Sequence, residues 1–146
     1  MQYAEDARRM RQIQAPVQKR EEGNVLNIAI VGMGRVGTQF LQELLPHAHK
    51  GLSVMCISEM EETPGKDMAR RRGIRIMTVE EIIGMGESID VIFDLTGNGQ
   101  LRRLLRESMV ATRNTHTVIA SETIAQLVWC LVTDKSLADH HGHTGY

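Results

Sequence analysis

The sequence predicts an α/β chain: a doubly wound parallel sheet of about five strands with helices on both faces. Three observations predict it. Short apolar runs recur at residues 27–31, 52–57, 74–77, 90–95 and 117–120. Segments of helical periodicity alternate with them throughout, the signature of parallel strands joined by crossover helices. A glycine-rich turn, Gly32-Met33-Gly34-Arg35-Val36-Gly37, leaves the first run and opens the first helical segment.

After Asn27 the run at 27–31 is apolar, as a strand buried on both faces requires. Over 35–45, Val36, Phe40, Leu41, Leu44 and Leu45 recur at helical spacing, and Pro46 is expected to end the helix. After the strand at 52–57, Thr63-Pro64-Gly65 reads as a turn. A short helix follows over 66–72, closed by Gly73. The third strand is 74–77, and Thr78 caps a helix over 79–84. The fourth strand, 90–95, ends in the loop Thr96-Gly97-Asn98-Gly99. The next helix, 100–109, is expected to turn Leu101, Leu104 and Leu105 inward. The fifth strand is 117–120, and a last helix runs over 121–137. Residues 24–138 thus form one domain. Residues 1–23 are a charged extension with a helical stretch over 4–15, and residues 139–146 a flexible tail.

The bulk composition narrows the function classes. The chain has 146 residues, the size of one ordinary domain, and 42% of them are hydrophobic, enough for one core. Its 17 basic and 18 acidic residues are well mixed, for a net charge of −1. That balance gives no electrostatic case for nucleic acid or an anionic membrane. Aromatic residues are 3% of the chain, too few for a base-stacking surface. The polar first 23 residues lack the apolar core of a signal peptide, and no apolar run approaches the ~20 residues of a membrane-spanning helix. A cytoplasmic protein without membrane insertion is expected. Cys56 and Cys130 stand in unrelated contexts with no CxxC and read as small buried hydrophobes.

The glycine turn has the spacing GxGxxG in the context that gives the motif meaning, directly after a strand and opening a helix. Gly32 permits the tight turn, Gly34 lets a pyrophosphate approach the backbone, and Gly37 lets the helix pack close to the strand. Free N–H groups and the positive helix end then face the phosphates, with Met33, Arg35 and Val36 completing the cradle. This is a Rossmann-type site for a nicotinamide dinucleotide. An acid at the end of the second strand, about 20 residues on, would bind the adenosine ribose hydroxyls of NAD. Two residues compete for that place, Ser58 and Glu59. An Arg beside Ser58 would favour NADP; Glu59 stands there instead, so the reading leans to NAD over NADP. The run Arg70-Arg71-Arg72 is better placed to cap the negative end of its helix than to hold a 2′-phosphate.

From Leu26 to about Val132 the chain resembles the nucleotide-binding half of homoserine dehydrogenase-like and glucose–fructose oxidoreductase-like enzymes. The matching pieces are IAIVGMGRVGTQFLQELL, GIRIMTVEEII, IDVIFDLTG and THTVIA. It resembles still more closely the Rossmann module of some bacterial sensor histidine kinases, where SETIAQLVWCLV has its counterpart. GMGRVG is also similar to the turn of domains that regulate potassium uptake, whose later segments match less well. The resemblance implies that Thr96, Gly97 and Asn98 border the nicotinamide ribose and that Ser121 falls near the nicotinamide. It also exposes departures. Those enzymes carry an active-site lysine after the fifth strand, where this chain reads Ala120-Ser121-Glu122-Thr123. They also continue into a second domain that holds the substrate.

Other clusters read blandly. His140, His141 and His143 belong to the expected tail, and His47 and His49 to a loop after Pro46. No metal site is expected, and nine scattered methionines suit adaptable packing. The last helix is apolar nearly all round, so the segment at Trp129 is expected at a homodimer or partner-protein surface. The function expected is a non-catalytic NAD(P)(H)-binding regulatory or sensing module. The alternative is an oxidoreductase subunit whose substrate site another chain completes. No catalytic residue is identified.

Overall fold

The computed structural model describes residues 25–133. Five strands form one all-parallel sheet: β1 (Leu26–Val31), β2 (Leu52–Ser58), β3 (Arg75–Ile76), β4 (Val91–Asp94) and β5 (Val118–Ala120). Five α-helices connect and flank them: α1 (Arg35–Leu44), α2 (Pro64–Arg71), α3 (Val79–Gly84), α4 (Gly99–Ala111) and α5 (Glu122–Val132). The strand order is β3-β2-β1-β4-β5, so the winding reverses between β1 and β4. This is the Rossmann-type topology that the alternation of apolar runs and helices predicts.

β1 lies at the centre and is buried on both faces. Ile28 and Ile30 join Phe40, Leu41, Ile57, Phe93 and Ala125 in one core, on the side of α1, α2 and α5. Ala29 and Val31 join Cys56, Ile82, Ile92, Leu105 and Met109 in the other, on the side of α3 and α4. The period of two along β1 thus divides its side chains between two cores. Phe40 and Phe93 pack with ring centroids 4.7 Å apart across the first core.

Several boundaries differ from the sequence reading. Pro46 does not end the helical stretch: the chain passes from α1 into a 3₁₀ turn, Leu45–Lys50, with Pro46 in its first turn. Proline needs no N–H there, so it is tolerated. His47 and His49 lie in this turn, and His49 Nδ1 is 2.8 Å from the Pro46 carbonyl oxygen. In α4, Leu105 is buried as expected and Leu101 packs against the same core, but Leu104 is 42% exposed. The last helix is shorter than expected and ends at Val132, where Thr133 takes an extended backbone. Trp129 does not face outward: it is 6% exposed, within the domain. The outward face of α5 is instead Ile124, Leu127 and Leu131, the last 77% exposed. Cys56 is fully buried, and Cys130 is half-buried. The charged extension, the tail and its histidines lie outside the described residues. Among those described, no helix is long and apolar enough to cross a membrane, and no cluster of His, Cys, Asp and Glu could hold a metal.

Candidate functional site

Parallel strands all end on one edge of the sheet, and the loops that leave that edge at a reversal of winding enclose a crevice. Here the crevice opens between β1 and β4. The turn after β1 (Gly32–Gly37), the end of β2 (Ser58, Glu59) and the loop after β4 (Thr96, Gly97, Asn98) lie along this edge, with Ser121 after β5. The four segments read from the sequence are therefore brought to one side of the molecule.

The three glycines of the turn differ in what requires them. Gly32 has φ +95°, which disfavours any side chain. A Cβ there would also meet Thr96 N and Cγ2 at 2.9 Å. The turn and the β4 loop are thus in direct contact. At Gly37 a Cβ would overlap the Gly32 carbonyl oxygen, so α1 can start this close to β1 only without a side chain. Gly34 is different. Its φ is −71°, ordinary for any residue, and a Cβ there would meet nothing within 4 Å. Packing explains Gly32 and Gly37; it does not explain Gly34.

Gly34 is also the N-cap of α1, and it supplies no side-chain acceptor to the helix N-terminus, whose first turn holds no acid. The other helices along the chain mostly start otherwise. Thr63 accepts from the Lys66 N–H at the start of α2. Thr78 and Glu81 form a capping box at α3. Asn98 accepts from the N–H groups of Gln100 and Leu101 at α4. The α1 terminus, with its partial positive charge, opens onto the exposed Gly34 and Arg35.

Met33 is fully buried, so its side chain belongs to the core and only its backbone borders the turn. Its N–H donates to Glu59 Oε1 at 3.2 Å, while Glu59 Oε2 accepts from the Met60 N–H at 3.0 Å. Thr38 Oγ1 donates to the Met33 carbonyl at 3.1 Å and ties α1 back to the turn. β2 ends at Ser58, as one of the two readings had it. The Ser58 carbonyl accepts from the Gly32 N–H at 2.9 Å, and the residue is buried. Of the two candidates for the strand-end position, it is Glu59 whose carboxylate reaches the glycine turn.

Beyond Glu59 the chain presents an ion-pair cluster at the start of α2. Glu62 takes two hydrogen bonds from Arg70, at 2.6 and 2.8 Å, and an ion pair from Lys66 Nζ at 3.2 Å. The Arg70 and Lys66 hydrogen bonds hold the Glu62 carboxyl down at about 2. Arg71 pairs with Asp67 at 3.1 Å. Arg71 is thus engaged on its own helix, while Arg70 reaches back to Glu62, ahead of the helix start. Burial pushes the Cys56 thiol up to about 11, against the lowering effect of Arg75, so this cysteine is an unreactive core residue.

Two residues at this edge escape the motif reading. Asp94, the last residue of β4, is 0% exposed, and Arg102 of α4 lies against it at 3.7 Å. The signal was present: a carboxylate closing an otherwise apolar strand run is costly unless something holds it.

No family model matches the chain, and no curated protein matches it. Solved structures do. GenD2 from gentamicin A biosynthesis, in complex with NAD, aligns with a TM-score of 0.50 at 20% identity, over 65% of this chain and 26% of that one. Homoserine dehydrogenase of S. aureus aligns with a TM-score of 0.51 at 19% identity, over 80% of this chain and 31% of the enzyme. RSP in complex with β-NADH aligns with a TM-score of 0.50 at 12% identity, over 80% of this chain and 62% of RSP. The chain thus spans less than a third of the first two and about three fifths of the third. At these identities the likeness shows the Rossmann-type fold.

Proposed function

We propose that this chain binds NAD(H) in the crevice between β1 and β4 and acts there as a non-catalytic module that senses or reports the cofactor. The observation that carries the binding is Gly34. It is the one glycine of the turn that packing does not demand, and it stands open over an uncapped helix N-terminus. A pyrophosphate approaching the backbone explains both its missing side chain and the missing cap. Met33, Arg35 and Val36 line the same approach through their backbones, while Gly32 and Gly37 shape it. Glu59, or Ser58 beside it, takes the adenosine ribose. A carboxylate at that place repels a 2′-phosphate, so NAD is read over NADP. Thr96, Gly97 and Asn98 border the nicotinamide ribose, with Ser121 beyond them. GenD2 and RSP, which share the fold, were solved with NAD and β-NADH.

The non-catalytic reading rests on the segment after β5. Ala120-Ser121-Glu122-Thr123 lacks the lysine that the resembling enzymes use there. The alternative, an oxidoreductase subunit completed by another chain, draws on the outward apolar face of α5, Ile124, Leu127 and Leu131. An uncharged face of this kind suits a homodimer or a partner protein, and the net charge of −1 argues against a nucleic-acid partner.

Calorimetric titration with NAD, NADH, NADP and NADPH, with light scattering on the same samples, tests the reading. Binding of NAD and NADH and loss of that binding in Gly34→Val, with an unchanged circular-dichroism spectrum, is the expected result. A folded Gly34→Val chain that binds as the wild type does rules out the site. Turnover of NADH with small aldehydes or hydroxy acids would favour the oxidoreductase subunit instead.

A further inference from the structure

The charge buried at the end of β4 has no part in the site as described so far. Ile92 and Phe93 point to opposite cores, so the next residue, Asp94, turns to the α4 side of the sheet. Its Oδ1 accepts from both the N–H and the hydroxyl of Thr96, at 3.2 and 2.7 Å. The Thr96 hydroxyl accepts in turn from the Asn98 N–H at 3.1 Å, and Asn98 caps α4. Three residues of the loop are thereby strung on one buried oxygen. The middle one, Gly97, sits at φ +67°.

The other oxygen, Oδ2, is buried and accepts no hydrogen bond. It faces Arg102 Nε at 3.7 Å, itself buried and without a hydrogen-bond partner. An ion pair held this loosely in the interior is a poor device for stability, since well-packed apolar residues often do as well or better. Its value lies in what Asp94 holds, the Thr96–Asn98 loop. That loop meets the glycine turn directly, because the missing side chain of Gly32 leaves room for Thr96 and the Leu95 backbone.

We propose that Asp94 is a positioning residue for the dinucleotide. Acting through the Thr96 hydroxyl, it fixes the loop against the glycine turn in the shape that receives the nicotinamide half of the ligand. This rests on the reading of the crevice as a dinucleotide site. Asp94 does not touch the ligand; it sets the backbone of the residues that do. Arg102 lies against the other oxygen, Oδ2, and leaves Oδ1 to the two Thr96 donors.

The test compares Asp94→Ala, which removes the acceptor, Thr96→Val and Thr96→Ser with the wild type. Two quantities are measured in the full chain: amide exchange at Gly97 and Asn98 without ligand, and NADH affinity by titration. Thr96→Val removes the bridging hydroxyl from a surface side chain, and Thr96→Ser keeps it. Faster exchange at Asn98 and about tenfold weaker NADH binding are expected in Asp94→Ala and Thr96→Val. Thr96→Ser should stay within about twofold of the wild type, a rescue that a merely bulky or stabilising role would not produce. Should Asp94→Ala not fold, the Val and Ser pair at Thr96 decides. Wild-type affinity in Thr96→Val, whether or not the loop loosens, overturns the positioning role. A wild-type chain that binds no NADH overturns the site itself, and the positioning role with it.

Discussion

Two loops meet at the crevice, and they are built on opposite principles. The loop after β4 satisfies itself: Asp94 holds Thr96, Thr96 holds Asn98, and Asn98 caps α4. The turn after β1 does not. Its helix starts without a side-chain cap, and Gly34 leaves open space where another residue would put atoms. The two loops touch at Gly32 and Thr96, so the closed one braces the open one. The difference separates a wall from an open cradle. A loop whose polar groups are already paired offers shape; a helix terminus left unpaired offers binding energy to an anion.

The largest expected effect separates the two kinds of glycine within the open turn. Gly37→Ala forces a Cβ into the Gly32 carbonyl and should cost about 3 kcal/mol or more of stability, beyond the ~1 kcal/mol that alanine gains in a helix. Gly34→Ala, at ordinary φ and with free space around it, should cost no more than about 1 kcal/mol, the usual range for an N-cap change. Urea unfolding of both variants measures the contrast. Equal losses would erase the distinction on which the cradle rests.

A second measurement sharpens the role of the acid beside the turn. Glu59→Arg should weaken NAD and improve NADP. A charge-assisted contact is worth about 1.5–3 kcal/mol, so the ratio of the two affinities should move by more than tenfold. Competitive titration of both cofactors reads it. A ratio that stays put would pass the ribose to Ser58 or to the backbone.

The smallest effect concerns the closed loop. Asn98→Ala removes one cap acceptor and should lower stability by about 1 kcal/mol, seen as a lower melting temperature, while Asn98→Asp retains the cap. No loss in the alanine variant would mean that the β4 loop is not held by its own hydrogen bonds.

Much of the architecture was legible because its signals are periodic or chemical. Five apolar runs separated by helical stretches gave five parallel strands, and Thr78 caps α3 as read, with Glu81 completing a capping box. The glycine spacing located the turn. What stayed hidden depends on facing and register, which no one-dimensional pattern carries. Residues 124–132 are apolar nearly all round, Gln126 apart. Yet which side meets the sheet follows from where α5 docks, so Trp129 proved internal and Leu131 external. Leu104 and Leu105 are neighbours on one helix, and only the latter faces the core. Pro46 reads as a stop, yet a tighter turn can carry it at its start. At the site, the offset from the glycine turn left Ser58 and Glu59 both open, because one residue more or less on a strand exchanges the faces. Asp94 was missed for a different reason: it matches no ligand motif, and its partners are a neighbouring loop and a helix two turns of reasoning away from the glycines.

The strand order carries a consequence for how the chain reaches its final form. β1, β2 and β3 are neighbours both in sequence and in the sheet, so their pairings close short segments. The crevice is different: it requires β1 to meet β4, and the hydrogen bond from the Asn27 N–H to Asp90 spans 63 positions. Closing a segment of that length is entropically costly and slow compared with local pairing. The half of the sheet that holds the glycine turn thus closes shorter segments, and no crevice exists until β1 has met β4. A nucleotide held between β1 and β4 recognises only chains that have finished. At a hundredfold excess over its dissociation constant it would add about 2.7 kcal/mol to the completed state and nothing to the half-built one. Supply of the cofactor would then govern how long each folded molecule survives.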